Sequence, residues 1–262
     1  MVYSNGQCIM KNEYDNIAAF YEVEHALFDE DVDMYRNFAE LSGGSLLELA
    51  CGSGRVLLPL AQDGYELVGV DNSAPMLAIA RERLTEANVL SHCELVQADI
   101  RTMRLGRTFR MAFIALGSFA HLTKRSEQQE ALATVRVHLG TGGLFLLDIS
   151  NADIRYMESL GGQMLHQGTW QRDDGMMLTH FVSPATATER RMLELTHFYD
   201  VYSQGGSVQR TTTTMHLALF ERGEVELLLE QAGFTIKDVY GTYDLDLYQV
   251  DSPRMIFVAE AR

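Results

Sequence analysis

Leu46-Leu47-Glu48-Leu49-Ala50-Cys51-Gly52-Ser53-Gly54-Arg55-Val56-Leu57 is an apolar run that enters a glycine-rich turn and leaves it as an amphipathic stretch. A continuous apolar run of this length, bounded by a turn, reads as a strand buried on both faces, the kind found in parallel sheets. Glycine in the turn lets the backbone take positive φ and come close to a ligand. The helix that follows offers N–H groups with no intrahelical partner. Strand, turn and helix in that order make a ligand site at the carboxyl end of a sheet strand.

Outward from this segment, short apolar runs alternate with amphipathic ones, as βα units feeding a parallel sheet do. Strands are expected at 45–50, 66–70, 94–97, 111–116 and 143–149. One helix starts after Ser73, with Pro75 in its first turn and Met76, Ala80 and Leu84 on one face. Another begins near Ser126, with Gln129 placed for a capping box, and stops at Gly140. Beyond Ser150 the rhythm changes. Residues 176–182, 192–202 and 207–219 are rich in Thr, Tyr, Phe, Val and His and read as antiparallel strands, with the Ser203-to-Ser207 turn between the last two. A helix carrying Val225, Leu228, Leu229 and Ala232 and stopping at Gly233 precedes strands at 234–240 and 255–261. Near the start, Tyr14, Ile17, Ala18 and Tyr21 have the spacing of an amphipathic helix. The expected architecture is α/β, a doubly wound and mainly parallel sheet of seven strands with a reversed last strand and an inserted antiparallel β meander. Three parts follow: residues 1–150 as a ligand-binding core with an N-terminal lid helix, 151–219 as an inserted substrate or dimer region, and 220–262 as the completion of the core sheet.

The composition narrows the partners. A formal net charge of −15 over 262 residues repels phosphate backbones, so nucleic acid is not expected as a substrate. No apolar stretch is long enough to span a bilayer, and the start lacks the basic and apolar regions of a secretory signal, so the expectation is a cytoplasmic protein without membrane contact. The three cysteines, Cys8, Cys51 and Cys93, lack metal-ligand spacing and read as reduced thiols.

Two ligands compete for the glycine turn, a nicotinamide dinucleotide and S-adenosylmethionine. The dinucleotide fingerprint wants a small residue three positions after Gly54, where Leu57 stands. Asp71, ending the second strand, suits the ribose hydroxyls of either ligand, or serves a helix N-terminus as a favourable charge. The spacing Glu48-x-Ala50-x-Gly52-x-Gly54 resembles motif I of the class I methyltransferases, with Ala50 where glycine is commoner. Gln97-Ala98-Asp99-Ile100 resembles the element with which that family meets adenine. The resemblance implies S-adenosylmethionine as cofactor, with Glu48, Ala50, Gly52, Ser53 and Gly54 at its methionine and ribose end. It assigns Asp71, Asn72 and Met76 to ribose and adenine, and Asp99 and Ile100 to adenine. Arg55 and Leu116 fall at cofactor-side positions, and Tyr14 or Tyr21 matches the tyrosine that some small-molecule members lay over the methionine.

Ala115-Leu116-Gly117-Ser118-Phe119-Ala120-His121-Leu122 follows the fourth strand and is similar to the Ser-x-x-His-Leu segment of sugar-amine N-dimethyltransferases. That likeness makes His121 the candidate catalytic base or substrate orienter, with Ser118 and Phe119 on the same wall. A helix cap or a satisfied core histidine is the plainer account of the same residue. From the insertion, Trp170 and Tyr199 are candidate substrate walls, while its other aromatic and imidazole groups read mainly as packing. Its histidines lack the spacing of a metal site, and none is expected. The reading is therefore methyl transfer to nitrogen, or to oxygen, of a small molecule, with a homodimer face offered by the insertion. The alternatives are a nicotinamide-dependent reductase and a non-catalytic S-adenosylmethionine-binding protein.

Overall fold

The computed structural model describes residues 3–4, 7–8, 13–25, 27–151, 158–187, 191–203 and 205–262. The strands are β1 (Tyr3–Ser4), β2 (Gln7–Cys8), β3 (Leu46–Leu49), β4 (Leu67–Asp71), β5 (Cys93–Gln97), β6 (Phe109–Ile114), β7 (Leu139–Ser150), β8 (Leu165–Gln171), β9 (Met177–Ala187), β10 (Met192–Tyr202), β11 (Gln209–Ala218), β12 (Phe234–Tyr240) and β13 (Arg254–Ala261). The helices are α1 (Ala18–His25), α2 (Val32–Ser42), α3 (Leu57–Gln62), α4 (Ala74–Glu86), α5 (Arg125–Val137) and α6 (Arg222–Gln231).

Seven strands form the main sheet in the order β12-β13-β7-β6-β3-β4-β5. From β7 to β5 every neighbour pair is parallel, and β13 enters antiparallel between β7 and β12. Because side chains alternate along β3, Leu47 and Leu49 join one apolar layer and Leu46 the other. The first layer takes Leu132 and Val135 of α5 and Leu228 and Leu229 of α6; the second takes Tyr35 and Phe38 of α2, Leu57 and Leu60 of α3 and Leu84 of α4. Helices thus cover both faces, as an all-apolar central strand demands.

The elements depart from expectation in several places. The helix expected at Ser126 begins at Arg125, where the Lys124 N–H donates to Glu127 Oε2 at 3.3 Å; Glu127, not the exposed Gln129, occupies the capping position. Strand β7 starts at Leu139 instead of residue 143, because pairing with β6 jumps from Phe109–Leu139 to Met111–Leu144 and a bulge absorbs the glycine-rich stretch. Tyr14 sits in a 3-10 turn, Glu13–Asn16, that runs into α1 instead of in the helix itself. The insertion is a four-stranded antiparallel sheet, β11-β10-β9-β8, whose polar edge strand β8 was not expected. The turn expected around Gln204 includes a residue outside those described.

Helix α2, also unexpected, ends on Gly43 in the left-handed conformation (φ +59°), with its N–H on the Ala39 carbonyl at 3.1 Å. Nothing lies within 4 Å of a Cβ built there, so Gly43→Ala carries only the conformational cost. A loss of about 1 kcal/mol in urea unfolding is expected, with the unfolding slope unchanged.

The far end of the sheet is pinned by Asp148 of β7, which is fully buried. It accepts from Arg254 Nε at 2.5 Å, Tyr243 OH at 3.1 Å and the Leu116 N–H at 3.0 Å. This carboxylate holds the turn after β6 in place, and with it the left-handed Leu116 (φ +49°). Burial raises the Asp148 carboxyl, and the positive Arg254 opposes that rise. Among the described residues no helix is long and apolar enough to cross a membrane.

Candidate active site

A cavity of about 490 Å³ opens at the carboxyl ends of β3, β4, β5 and β6. Its floor is Ala50, Gly52, Asp71, Asn72 and Met76; one side is Ala98, Asp99, Ile100 and Arg101; the other is Ser118, His121, Leu122, Thr123 and Glu127. Glu13, Tyr14 and Tyr21 close it from the N-terminal segment, and Met192 and His216 from the insertion. Strand β11 packs on both the Glu13–Asn16 and the Ser118–His121 turns, which brings the second sheet over the opening.

The turn after β3 carries positive φ at Ala50 (+56°), Gly52 (+53°) and Gly54 (+74°). At Gly52 open space surrounds the missing Cβ on the cavity side, so the backbone itself is available to a ligand. Leu57 is fully buried, and its Cδ1 would stand 2.5 Å from a Cβ on Gly69 of β4; it packs helix against sheet through the strand's glycine. Asp71 is buried and accepts the Gly52 N–H on Oδ2 and the Ser73 N–H on Oδ1, both at 2.8 Å. Burial raises its carboxyl, and these N–H groups oppose the rise. The cap of α4 is Ser73, whose Oγ accepts the Met76 N–H at 3.4 Å, so Asp71 works at the turn and not as the helix cap.

Asp99 is held by Arg101, through Nε at 2.9 and 3.0 Å and Nη2 at 2.6 Å, and the guanidinium holds its carboxyl below the usual range. Arg101 also donates to Glu127 at 2.9 Å. Across the cavity, Tyr14 OH and His121 Nε2 lie 3.0 Å apart with their rings edge-on. Burial pushes the His121 imidazole down to about 4, and burial likewise keeps the Tyr14 hydroxyl protonated. A neutral imidazole therefore faces the cavity across the physiological range. Tyr21 stacks on His25 at 3.9 Å, and burial pushes its hydroxyl up to about 12.

Other sequence candidates lie outside this wall. Phe119 is wholly inside the core, tilted against Phe220 at 5.6 Å, because in the 3-10 turn Ser118 and His121 face the cavity and Phe119 faces inward. Leu116 spends its N–H on Asp148. Arg55 grips the buried Asp31 with two bonds of 2.6 Å, and the Ser53 carbonyl accepts from Arg83 at 3.1 Å; with Gly54 they stand behind the turn. Trp170 lies over Gly168, and Tyr199 is buried between His180 (4.3 Å) and Phe20 (5.1 Å), so neither reaches the lining. Glu13, Arg101, Thr123, Glu127, Met192 and His216 line it without having been singled out. Arg101 and Thr123 directly follow recognisable segments, whereas Met192 and His216 depend on the pairing of β10 with β11.

Glu48 sits beneath the turn, buried, with Oε2 unpartnered, and burial raises its carboxyl well above the usual range. A folded-state value above the unfolded one contributes stability that is full at low pH and is lost as pH rises through the folded value. Glu48→Gln removes this titration. The stability difference between variant and wild type, measured by urea unfolding at pH 5 and pH 8, is expected to move in the variant's favour at the higher pH.

A model of the methyltransferase domain matches residues 46–143. The chain is 31% identical over 222 residues to the glycine/sarcosine N-methyltransferase of Parasynechococcus marenigrum, covering 82% of this chain and 72% of that protein. It is 27% identical over 199 residues to the dTDP-3-amino-3,4,6-trideoxy-alpha-D-glucopyranose N,N-dimethyltransferase of Streptomyces venezuelae, covering 75% and 78%. Among solved structures, an S-adenosylmethionine-dependent methyltransferase of Clostridium acetobutylicum superimposes with a TM-score of 0.76 at 18% identity, over 95% of this chain and 99% of that one. With the parallel sheet, the glycine turn and the leucine that blocks the dinucleotide fingerprint, these likenesses converge: the chain belongs to the class I S-adenosylmethionine-dependent methyltransferases, and S-adenosylmethionine is its methyl donor.

Proposed function

We propose that this methyltransferase acts on a nitrogen of a small molecule of amino-sugar or amino-acid size, with His121 as the base. The observation that carries the reading is the imidazole of His121, bonded to Tyr14, on the wall of the cavity whose floor is Asp71 and Gly52. The names of the relatives, an amino-sugar and a glycine/sarcosine N-methyltransferase, support nitrogen as the acceptor atom. Leu57 speaks against the reductase alternative, and a cavity wall bearing a base speaks against a purely binding role.

The residues present fit the donor. Asp71 accepts backbone N–H groups of Gly52, Ser73 and Asn72 and retains acceptor capacity for a ribose hydroxyl, and the open space at Gly52 admits the ligand against the backbone. Bound there, S-adenosylmethionine supplies an electrophilic methyl group on sulfur. Asn72 and Met76 extend the ribose and adenine side, and Ile100 and Asp99 flank the base. Asp99, held in place by Arg101, would accept a hydrogen bond from the adenine amino group. Tyr14 and Tyr21 cover the methionine end. Glu48, Ser53, Gly54, Arg55 and Leu116 act from behind the wall, holding the backbone that makes contact. Ser118 and His121 meet the acceptor, whose amine must be neutral to attack, and His121 takes the proton. Residues 1–150 supply the donor site, 151–219 the acceptor cover and a homodimer face, and 220–262 the edge of the sheet. The protein works in the cytoplasm, away from nucleic acid and membranes.

The test is methylation with labelled S-adenosylmethionine of a panel holding glycine, sarcosine, a dTDP-linked 3-amino sugar and matched alcohols, read by mass spectrometry. N-methyl products are expected. Products methylated only on oxygen would overturn the nitrogen assignment.

A further inference from the structure

Three groups on the acceptor side present hydrogen-bond acceptors to the cavity. Ser118 lines the wall with His121, and its Oγ already donates to the Ala115 carbonyl at 2.9 Å, so it shows a ligand lone pairs. Glu13 lines it from the turn that carries Tyr14, and His216 from β11 of the insertion. The two neighbours of Glu13 in the turn point elsewhere: Tyr14 OH lies 3.0 Å from His121 Nε2, and Asp15 Oδ1 accepts from Ser73 Oγ at 2.7 Å. These bonds tie the turn to the His121 wall and to the start of α4, and so fix the place of Glu13.

Strand β11 packs on both the Glu13–Asn16 and the Ser118–His121 turns, which brings His216 to the same cavity. Its register partner on β10 is Glu194, and His216 Nε2 lies 3.2 Å from Glu194 Oε2. A carboxylate can only accept, so the neutral imidazole carries its proton on Nε2 and its lone pair on Nδ1. Glu13 is half-buried; burial raises its carboxyl, and positive charge on His216 opposes that rise. The guanidinium on the facing wall, of Arg101, is bound to Asp99 and Glu127.

We infer that Glu13 and His216 select the acceptor, taking an amine that carries a hydroxyl group beside its reacting nitrogen and turning away one that carries a carboxylate there. This selection rests on the nitrogen-methylation reading and narrows its substrate class to hydroxylated amines. With the amine at His121, Glu13 and His216 accept hydroxyl hydrogens, and Met192 offers the ring an apolar contact. A site built to bond a hydroxyl rejects the analogue that lacks it, because its own polar groups then lose water and find no partner. A carboxylate in the same place meets the like charge of Glu13. Glu13 and His216 determine specificity, whereas His121 serves the reacting nitrogen.

Calorimetry on the S-adenosylhomocysteine complex with ring amines of matched size, 2-aminocyclohexanol, cyclohexylamine and 2-aminocyclohexanecarboxylate, tests the selection without turnover. The amino alcohol is expected to bind about tenfold or more tighter than cyclohexylamine, as a hydrogen bond to a charged group implies, and the carboxylate weakest. Glu13→Ala is expected to erase the preference for the hydroxyl, His216→Phe to reduce it about threefold, and Glu13→Lys to reverse the order in favour of the carboxylate. The Kd for S-adenosylhomocysteine and the melting temperature should be unchanged in each variant. A merely structural role would weaken the three amines alike and leave their order alone. Equal affinity for the three, failure of all three to bind included, overturns the selection, as does an unchanged order in both Glu13 variants. Binding in the expected order without any N-methyl product from the panel overturns instead the nitrogen reading.

Discussion

Asp71→Ala is expected to weaken binding of S-adenosylhomocysteine by about 100-fold or more, measured by calorimetry, in a protein that still folds. The carboxylate accepts the backbone N–H groups of Gly52, Ser73 and Asn72, and so clamps the turn after β3 to the start of α4. Asp71 also lines the cavity. Alanine removes the charged acceptor for the ribose and releases the Gly52 backbone from its position at once. A hydrogen bond to a charged group contributes about 1.5–3 kcal/mol, so losing two ribose contacts amounts to about 100-fold or more. Asp71→Asn retains one oxygen acceptor and should fall between wild type and alanine. An unchanged Kd in folded Asp71→Ala would remove Asp71 from the donor site and leave it only a backbone clamp.

Asp71 and the glycine turn were legible in the sequence because their signals are local: a buried strand, glycines, then a helix start. Ile100 and Asp99 were legible for the same reason. The side from which a short 3-10 turn shows its residues is not local, and so Phe119 was expected on the wall that Ser118 and His121 form while it fills the core beside Phe220. Arg55 has the spacing of a ligand contact, but its partner Asp31 lies 24 residues earlier and sets its direction. The helix α2 carried a readable pattern in Met34, Tyr35, Phe38 and Ala39, one apolar face at helical spacing. Strand β8 carried almost none, since it is a polar edge whose course is set by pairing with β9. What the insertion contributes to the cavity, Met192 and His216, follows from register across its sheet and from how that sheet packs on two turns far away in sequence. The hydrogen-bonded line of Glu24, His180 and His197 joins residues 156 and 17 positions apart and has no sequence signature.

His121→Ala should separate chemistry from binding. A base that acts on the amine contributes about 10²- to 10⁴-fold to the rate, so kcat is expected to fall by about 100-fold or more. The Kd for S-adenosylhomocysteine should stay within about twofold, because Asp71, Gly52 and Asp99 lie on other elements. The pH profile carries a second signature. His121 must be neutral to accept a proton, and burial pushes it down to about 4 from its ordinary value of 6.5. Protonation of His121 therefore lowers the wild-type rate only as pH falls toward 4, whereas an ordinary exposed histidine would impose a fall below about 6.5. Tyr14→Phe removes the hydroxyl 3.0 Å from His121 Nε2 but keeps the ring over the cavity, so it should cost less than the loss of the imidazole, about tenfold in kcat. If alanine at 121 weakened donor binding as much as alanine at 71, His121 would belong to the donor site, and the proton would have to leave the amine by way of another group.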